Sequence, residues 1–273
     1  MTDRMPTRDR TVSVVALSPL SSVRIHRPAG LAGPLPALLW IHGGGFVFGA
    51  ARQDDQRCAQ LADDLGIIVA AVDYRLAPEH PFPAALEDCH DALVWLAAHP
   101  DVDADRIAVG GASAGGGLAA SLALLARERA VVSPAFQLLV YPMLDDRTAS
   151  RPDPQPGVRR LWNHASNRFA WRAYLGGEPG SAAVSATAAP ARCTDLADLP
   201  PAWIGVGTLD LFHDEDLDHA RRLEAAGVPC ALEVVDGAFH GFDVLRKARV
   251  SREFLRAQSD ALRAALAPSG RPS

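Results

Sequence analysis

Short runs of apolar residues alternate along the chain with longer stretches in which apolar positions recur every three or four residues. The runs at 37–41, 67–72, 107–109, 136–140, 202–206 and 231–235 are almost continuously apolar, the pattern of strands buried on both faces. Within 83–99, Ala85, Leu86, Cys89, Ala92, Leu93 and Leu96 fall on one helical face. The alanine-rich stretch 116–129 and the stretch 214–226 read as further helices. The second of these opens with acids at its positive end and stops at Gly227, a residue suited to a C-terminal cap. Strand and helix in strict alternation predict an α/β fold, a mostly parallel central sheet flanked by helices on both faces. Residues 11 to 27 read differently, as two short strands joined by a turn at Ser18-Pro19, and predict an antiparallel edge.

Residues 143–190 break the alternation. They open with Pro152, Pro154 and Pro156, then carry Trp162, Phe169, Trp171 and Tyr174. A connection of that length predicts a cap or lid insertion in an otherwise single domain spanning 1–273.

Composition narrows the classes of function. The net charge of −5 leaves no electrostatic footprint for nucleic acid, and no basic stripe runs along the chain. No apolar run approaches the roughly 20 residues that span a bilayer, so no membrane partner is expected. Residues 1–10 are charged and lack an apolar stretch, which predicts a cytoplasmic protein. Cys58, Cys89, Cys193 and Cys230 are widely spaced and are expected as reduced, mostly buried thiols. Lys247 is the only lysine, so a Schiff-base or Ser-Lys mechanism would rest on one residue in a charged stretch. Without an HExxH pattern or paired histidines on one helix face, no metal site is expected.

Gly111-Ala-Ser-Ala-Gly115 follows the strand at 107–109 and precedes the helix at 116–129. A serine on so sharp a strand-to-helix turn presents its hydroxyl above the sheet in a strained backbone, and the residues two before and two after it must be tiny. The helix N-terminus then aims backbone N–H groups at an anion forming there. His42-Gly-Gly-Gly-Phe46 follows the strand at 37–41. Three successive glycines let N–H groups turn inward, as an oxyanion hole requires, each good donor being worth roughly 3 kcal/mol in the transition state. The loop lacks the Lys-Ser/Thr of a P-loop and the spacing of a dinucleotide site; His42 reads as a loop-shaping residue bonded to backbone. The acid and base should follow in the order Ser, Asp/Glu, His at the ends of later strands. Asp210 lies just past 202–206 and His240 just past 231–235. Asp214, Glu215 and Asp216 remain alternatives to Asp210, although the next helix is their natural place. His213 and His219 fall in or beside that same helix, and His26, His90, His99 and His164 follow no suitable strand.

With these residues in place, the chain resembles the hormone-sensitive-lipase-like family of bacterial carboxylesterases, from about residue 37 to 245. The motifs that carry the resemblance are His42-Gly-Gly-Gly45, Asp73-Tyr-Arg-Leu-Ala-Pro-Glu-His-Pro-Phe-Pro83, Gly111-Ala-Ser-Ala-Gly-Gly116, Asp210 and His240-Gly-Phe242. The resemblance implies an α/β-hydrolase fold and a catalytic set of Ser113, Asp210 and His240. It implies an oxyanion hole from the N–H groups of Gly44, Gly45 and Ala114, with Gly43 supporting the loop. Residues 73–83 would brace the active-site loops, with Arg75 and Glu79 structural. Three positions depart from the family pattern: Ala112 stands where an acid is usual, Gly117 where Asn is frequent, and Asp210-Leu-Phe-His-Asp-Glu215 replaces Asp-Pro-Leu-Arg-Asp-Glu. Only 41 residues precede His42, so the N-terminal half of the family's cap is expected to be missing and the pocket more open. The resemblance also allows a homodimer through an edge strand.

The expected chemistry is hydrolysis of short- to medium-chain carboxylic esters, small molecules, through an acyl-enzyme and without a cofactor. Two other readings share the fold: an amidase such as an arylformamidase with the same triad, and a ligand-binding member without turnover. The presence of Ser113, Asp210 and His240 together argues against the second.

Overall fold

The computed structural model describes residues 12–31, 33–151 and 161–268. Eight strands form one sheet: β1 (Ser13–Ala16), β2 (Ser22–His26), β3 (Leu35–Ile41), β4 (Ile68–Asp73), β5 (Val102–Ala112), β6 (Phe136–Val140), β7 (Ala202–Gly207) and β8 (Cys230–Val235). Their order is β1-β2-β4-β3-β5-β6-β7-β8. β1 and β2 pair antiparallel, β2 runs antiparallel to β4, and every other pairing is parallel. The expected antiparallel edge is therefore present, and its turn is closed by the Ser18 hydroxyl, which accepts from the N–H groups of Leu20 and Ser21.

Side-chain alternation sorts the helices to the two faces. Leu39 and Ile41 of β3 pack with α2 (Ala84–Ala97) and α3 (Ala114–Arg129), while Leu38 and Trp40 pack with α1 (Asp55–Leu65) and α6 (Arg249–Ala265). Because both faces of the central strands are covered, β3, β4, β6 and β7 read as continuous apolar runs. Two strands differ from their sequence patterns. β5 begins five residues before the apolar run at 107–109, because Val102 pairs with Leu35 and the register then shifts before Ala37 meets Ile107. β8 ends the sheet, and Leu232 and Val234 are 39% and 42% exposed, so its apolar run is covered on one face only.

Between β6 and β7 the described residues carry α4 (His164–Leu175), capped by the Asn163 side chain accepting from the Ser166 N–H. Phe46, beside the triple glycine, stacks on Tyr174 of α4 at 4.0 Å, and the Phe82 N–H donates to the Tyr174 carbonyl at 2.6 Å. Prolines 152, 154 and 156 lie outside the described residues, as do residues 1–11 of the 41 that precede His42. Cys58 and Cys89 are buried and Cys193 and Cys230 half-buried; all four are free thiols. No helix among the described residues is long and apolar enough to cross a membrane.

Candidate active site

Four loops at the carboxyl ends of parallel strands converge on one point, the usual location of ligands in open α/β sheets. β5 ends at Ala112, and Ser113 turns the chain into α3 with φ 58° and ψ −121°. That backbone lies where a residue with a Cβ is strained, at a cost on the order of 1–3 kcal/mol. Two contacts hold it there: the Ser113 N–H donates to Val140 O at 2.9 Å, and its carbonyl accepts from the Met143 N–H at 3.0 Å. The flanking glycines are required for space. A Cβ on Gly111 would sit 2.5 Å from the Gly115 backbone, and one on Gly115 would sit 2.0 Å from Ile41 O.

Ser113, His240 and Asp210 form one hydrogen-bonded chain. His240 Nδ1–H donates to Asp210 Oδ2 at 2.8 Å. That bond fixes the tautomer, so Nε2 accepts from the Ser113 hydroxyl, 2.9 Å away. Asp210 Oδ1 accepts from the Phe212 N–H at 3.0 Å. All three residues are nearly buried, at 7%, 8% and 1% exposure. Tyr141, Phe212 and Trp162 surround the imidazole, with ring centroids 4.9, 5.1 and 6.4 Å away.

The alternative acids lie apart from His240, in the first turn of α5 (His213–Ala225). Asp214 is exposed and meets His213. Glu215 accepts from the Leu144 N–H, the Asp145 N–H and the Thr148 hydroxyl, which ties α5 to residues 144–148. Burial pushes its carboxyl up to about 8. Asp216 is fully buried and makes no bond to His240.

Gly43, Gly44 and Gly45 line the same cavity as Ser113 and His240. A Cβ on Gly43 would lie 3.5 Å from that of Ser113. Gly44, with φ 127°, cannot carry a side chain, because its Cβ would fall 1.9 Å from Phe48 O. Ala114 is the first residue of α3, so its N–H has no acceptor within the helix. The triple-glycine loop is held from behind by His42, whose Nδ1–H donates to Gly43 O at 2.8 Å. Tyr74 stacks on that imidazole at 4.2 Å and donates its hydroxyl to His42 O. Burial lowers the His42 imidazole's proton affinity, consistent with a shaping role. Asp73 accepts from the Ala51 N–H, and Arg75 forks onto Asp88. Residues 73–75 thus brace the loop as the motif implied. Glu79 is exposed, and no side-chain bond of it is found among the described residues.

The cavity measures about 230 Å³ and is lined further by Phe48, Gln53, Asp54, Ala112, Tyr141, Leu161, Trp162 and Val244. It is below the roughly 300–1,000 Å³ typical of drug-sized ligand sites. Trp162 closes one side, for a Cβ on Gly45 would meet its ring at 2.3 Å. Trp162, Asp54 and Tyr141 carried no motif; of the three, only Trp162 had a sequence signal, as an aromatic of the insertion. One departure from the family pattern has a steric reason. A Cβ at Gly117 would fall 2.1 Å from Met143 O, so Asn does not fit this backbone.

Residues 38–244 match a family model described as the alpha/beta hydrolase fold. Esterase LipI of Mycobacterium tuberculosis is 39% identical over 216 residues, covering 76% of this chain and 65% of that protein; this chain thus spans just under two thirds of that relative. An ethyl acetate hydrolase of Pseudomonas putida is 37% identical, covering 81% of this chain and 70% of its own. Among solved structures, a bacterial heroin esterase superposes with a TM-score of 0.89 at 40% identity, covering 96% of this chain and 86% of that one. The fold, the strand-end loops and these relatives agree: the chain belongs to the hormone-sensitive-lipase-like family of α/β-hydrolase esterases.

Proposed function

We propose that this protein is a serine carboxylesterase that hydrolyses small esters with short to medium acyl chains through an acyl-enzyme. The observation that carries the reading is the unbroken chain from Ser113 Oγ through His240 to Asp210, at 2.9 and 2.8 Å. His240 takes the Ser113 proton as the oxygen attacks the ester carbonyl, and Asp210 steadies the imidazolium that forms. The tetrahedral oxyanion is held by the N–H groups of Gly44, Gly45 and Ala114, with Gly43 supporting the loop. The Ser113 N–H is excluded from that role because Val140 O already accepts it. His240 then protonates the departing alcohol, and water repeats the cycle to release the acid.

A short acyl group fits the cavity of about 230 Å³, and the Pseudomonas relative is named for a small ester of this kind. Residues 143–190 serve as the lid insertion; Trp162 from this segment supplies the wall against Gly45. The four free thiols suit a reducing compartment, the cytoplasm.

The test is covalent. An alkyl fluorophosphonate should label the protein once, on the peptide that contains Ser113, and abolish ester hydrolysis in proportion. Labelling at another serine, or full activity after labelling of Ser113, would overturn the assignment.

A further inference from the structure

One carboxylate in the wall of this pocket has no part in the triad. Asp54 ends a short helical turn before α1 and lines the cavity beside Ser113 and His240. Its Oδ2 accepts from the Trp40 indole N–H at 2.8 Å, which fixes the side chain. That is its only side-chain hydrogen bond among the described residues; the Arg246 guanidinium acts on it from a distance, and no ion pair with it is formed there. Asp243, three residues past His240 and bound by the Tyr141 hydroxyl at 2.7 Å, adds a second negative charge that repels Asp54. Phe48 and Tyr141 supply aromatic surface to the same cavity. A half-buried carboxylate that accepts a single side-chain hydrogen bond is incompletely compensated, and a ligand that brings a cation adds the missing opposite charge. Aromatic faces beside it add to the attraction.

We propose that Asp54 is a specificity-determining residue and that the preferred substrates are esters whose alcohol part carries a protonated amine. The inference rests on the serine esterase reading above. The alcohol side is chosen because His240 must reach the departing oxygen, and the loop that carries His240 also carries Asp243.

The test compares 2-(dimethylamino)ethyl acetate with 3-methylbutyl acetate, which share a shape and differ in charge at neutral pH. The wild-type protein should favour the amino ester by about tenfold in kcat/KM, the worth of one charged hydrogen bond. In Asp54→Asn, which keeps an acceptor for Trp40, that ratio should collapse toward unity. A ratio near unity in the wild type, or an undiminished one in the variant, overturns the proposal. A second measurement needs no variant: the wild-type ratio should fall severalfold as salt approaches about 1 M, and a salt-independent ratio counts against Asp54. Wild-type protein that hydrolyses neither ester contradicts the esterase reading, and the subsite with it; equal hydrolysis of both contradicts the subsite alone.

Discussion

Ser113 can be strained because its neighbours leave the chain no alternative. Gly111 and Gly115 admit no side chain, and Val140 and Met143 hold the Ser113 backbone from both sides. These are local constraints, and local constraints are what a five-residue motif records. Trp162 is the opposite case, since its role depends on a contact with Gly45 across more than a hundred residues of chain. Its indole N–H is held by Asn167 Oδ1 at 3.3 Å, and its ring stands 6.4 Å from His240. Truncation to Ala should open the pocket wall. For Trp162→Ala, kcat/KM across p-nitrophenyl esters should peak at a longer acyl chain than in the wild type. An unchanged optimum would place the acyl group elsewhere. Ser113, Asp210 and His240, which the structure brings into one hydrogen-bonded chain, and the glycines beside them were legible from motifs. Asp54 was not, because an Asp at a helix start ordinarily reads as a cap, and only its bond to Trp40 and its position beside Ser113 give it a further role.

α5 follows Asp210, is tied through Glu215 to residues 144–148, and carries three buried ionisable groups, Glu215, Asp216 and His219. Burial and then Arg222 push the His219 imidazole down to about 4, while burial pushes Glu215 up to about 8. For His219, the unfolded chain takes up its proton near pH 6.5 and the folded chain does not, so stability is lost as pH falls toward 4. Glu215 behaves in the opposite sense. The folded chain keeps its proton while the unfolded one releases it near pH 4.3, so stability falls as pH rises from there through 8. Each unit inside a window is worth about 1.4 kcal/mol for one group. Chemical denaturation against pH should therefore show a stability decline between about 6.5 and 8 that Glu215→Gln reduces. His219→Leu should instead unmask, between about 4.3 and 6.5, the Glu215 decline that the His219 gain offsets in the wild type. A wild-type profile flat across both windows, unchanged by either substitution, would contradict this account. The elements themselves were largely readable, since a covered strand must be apolar along its length. The exceptions follow from the same rule. The start of β5 is polar because Asp103 and Arg106 pair with each other at the sheet's rim, and β8 is apolar although half its face is open.

At the scale of the whole molecule, the parallel order of β4-β3-β5-β6-β7-β8 brings every strand's carboxyl end to one edge of the sheet. Residues as distant as Ser113 and His240, 127 positions apart, thereby come within hydrogen-bond reach. Chain order and strand ends were enough to pair them from the sequence. What the sequence did not supply was the size of the pocket, which depends on how α4 and Trp162 settle against the glycine loop through Phe46 and Gly45. The central claim is that Ser113 carries ester hydrolysis in this pocket. The most direct test is the rate of hydrolysis of p-nitrophenyl esters of increasing acyl length by the wild type and by Ser113→Ala. The account predicts turnover that favours short chains and falls in the variant by about 10⁴-fold or more, with the fold intact by circular dichroism. Well-folded wild-type protein that turns over none of these esters, or a variant that retains wild-type rates, would contradict it.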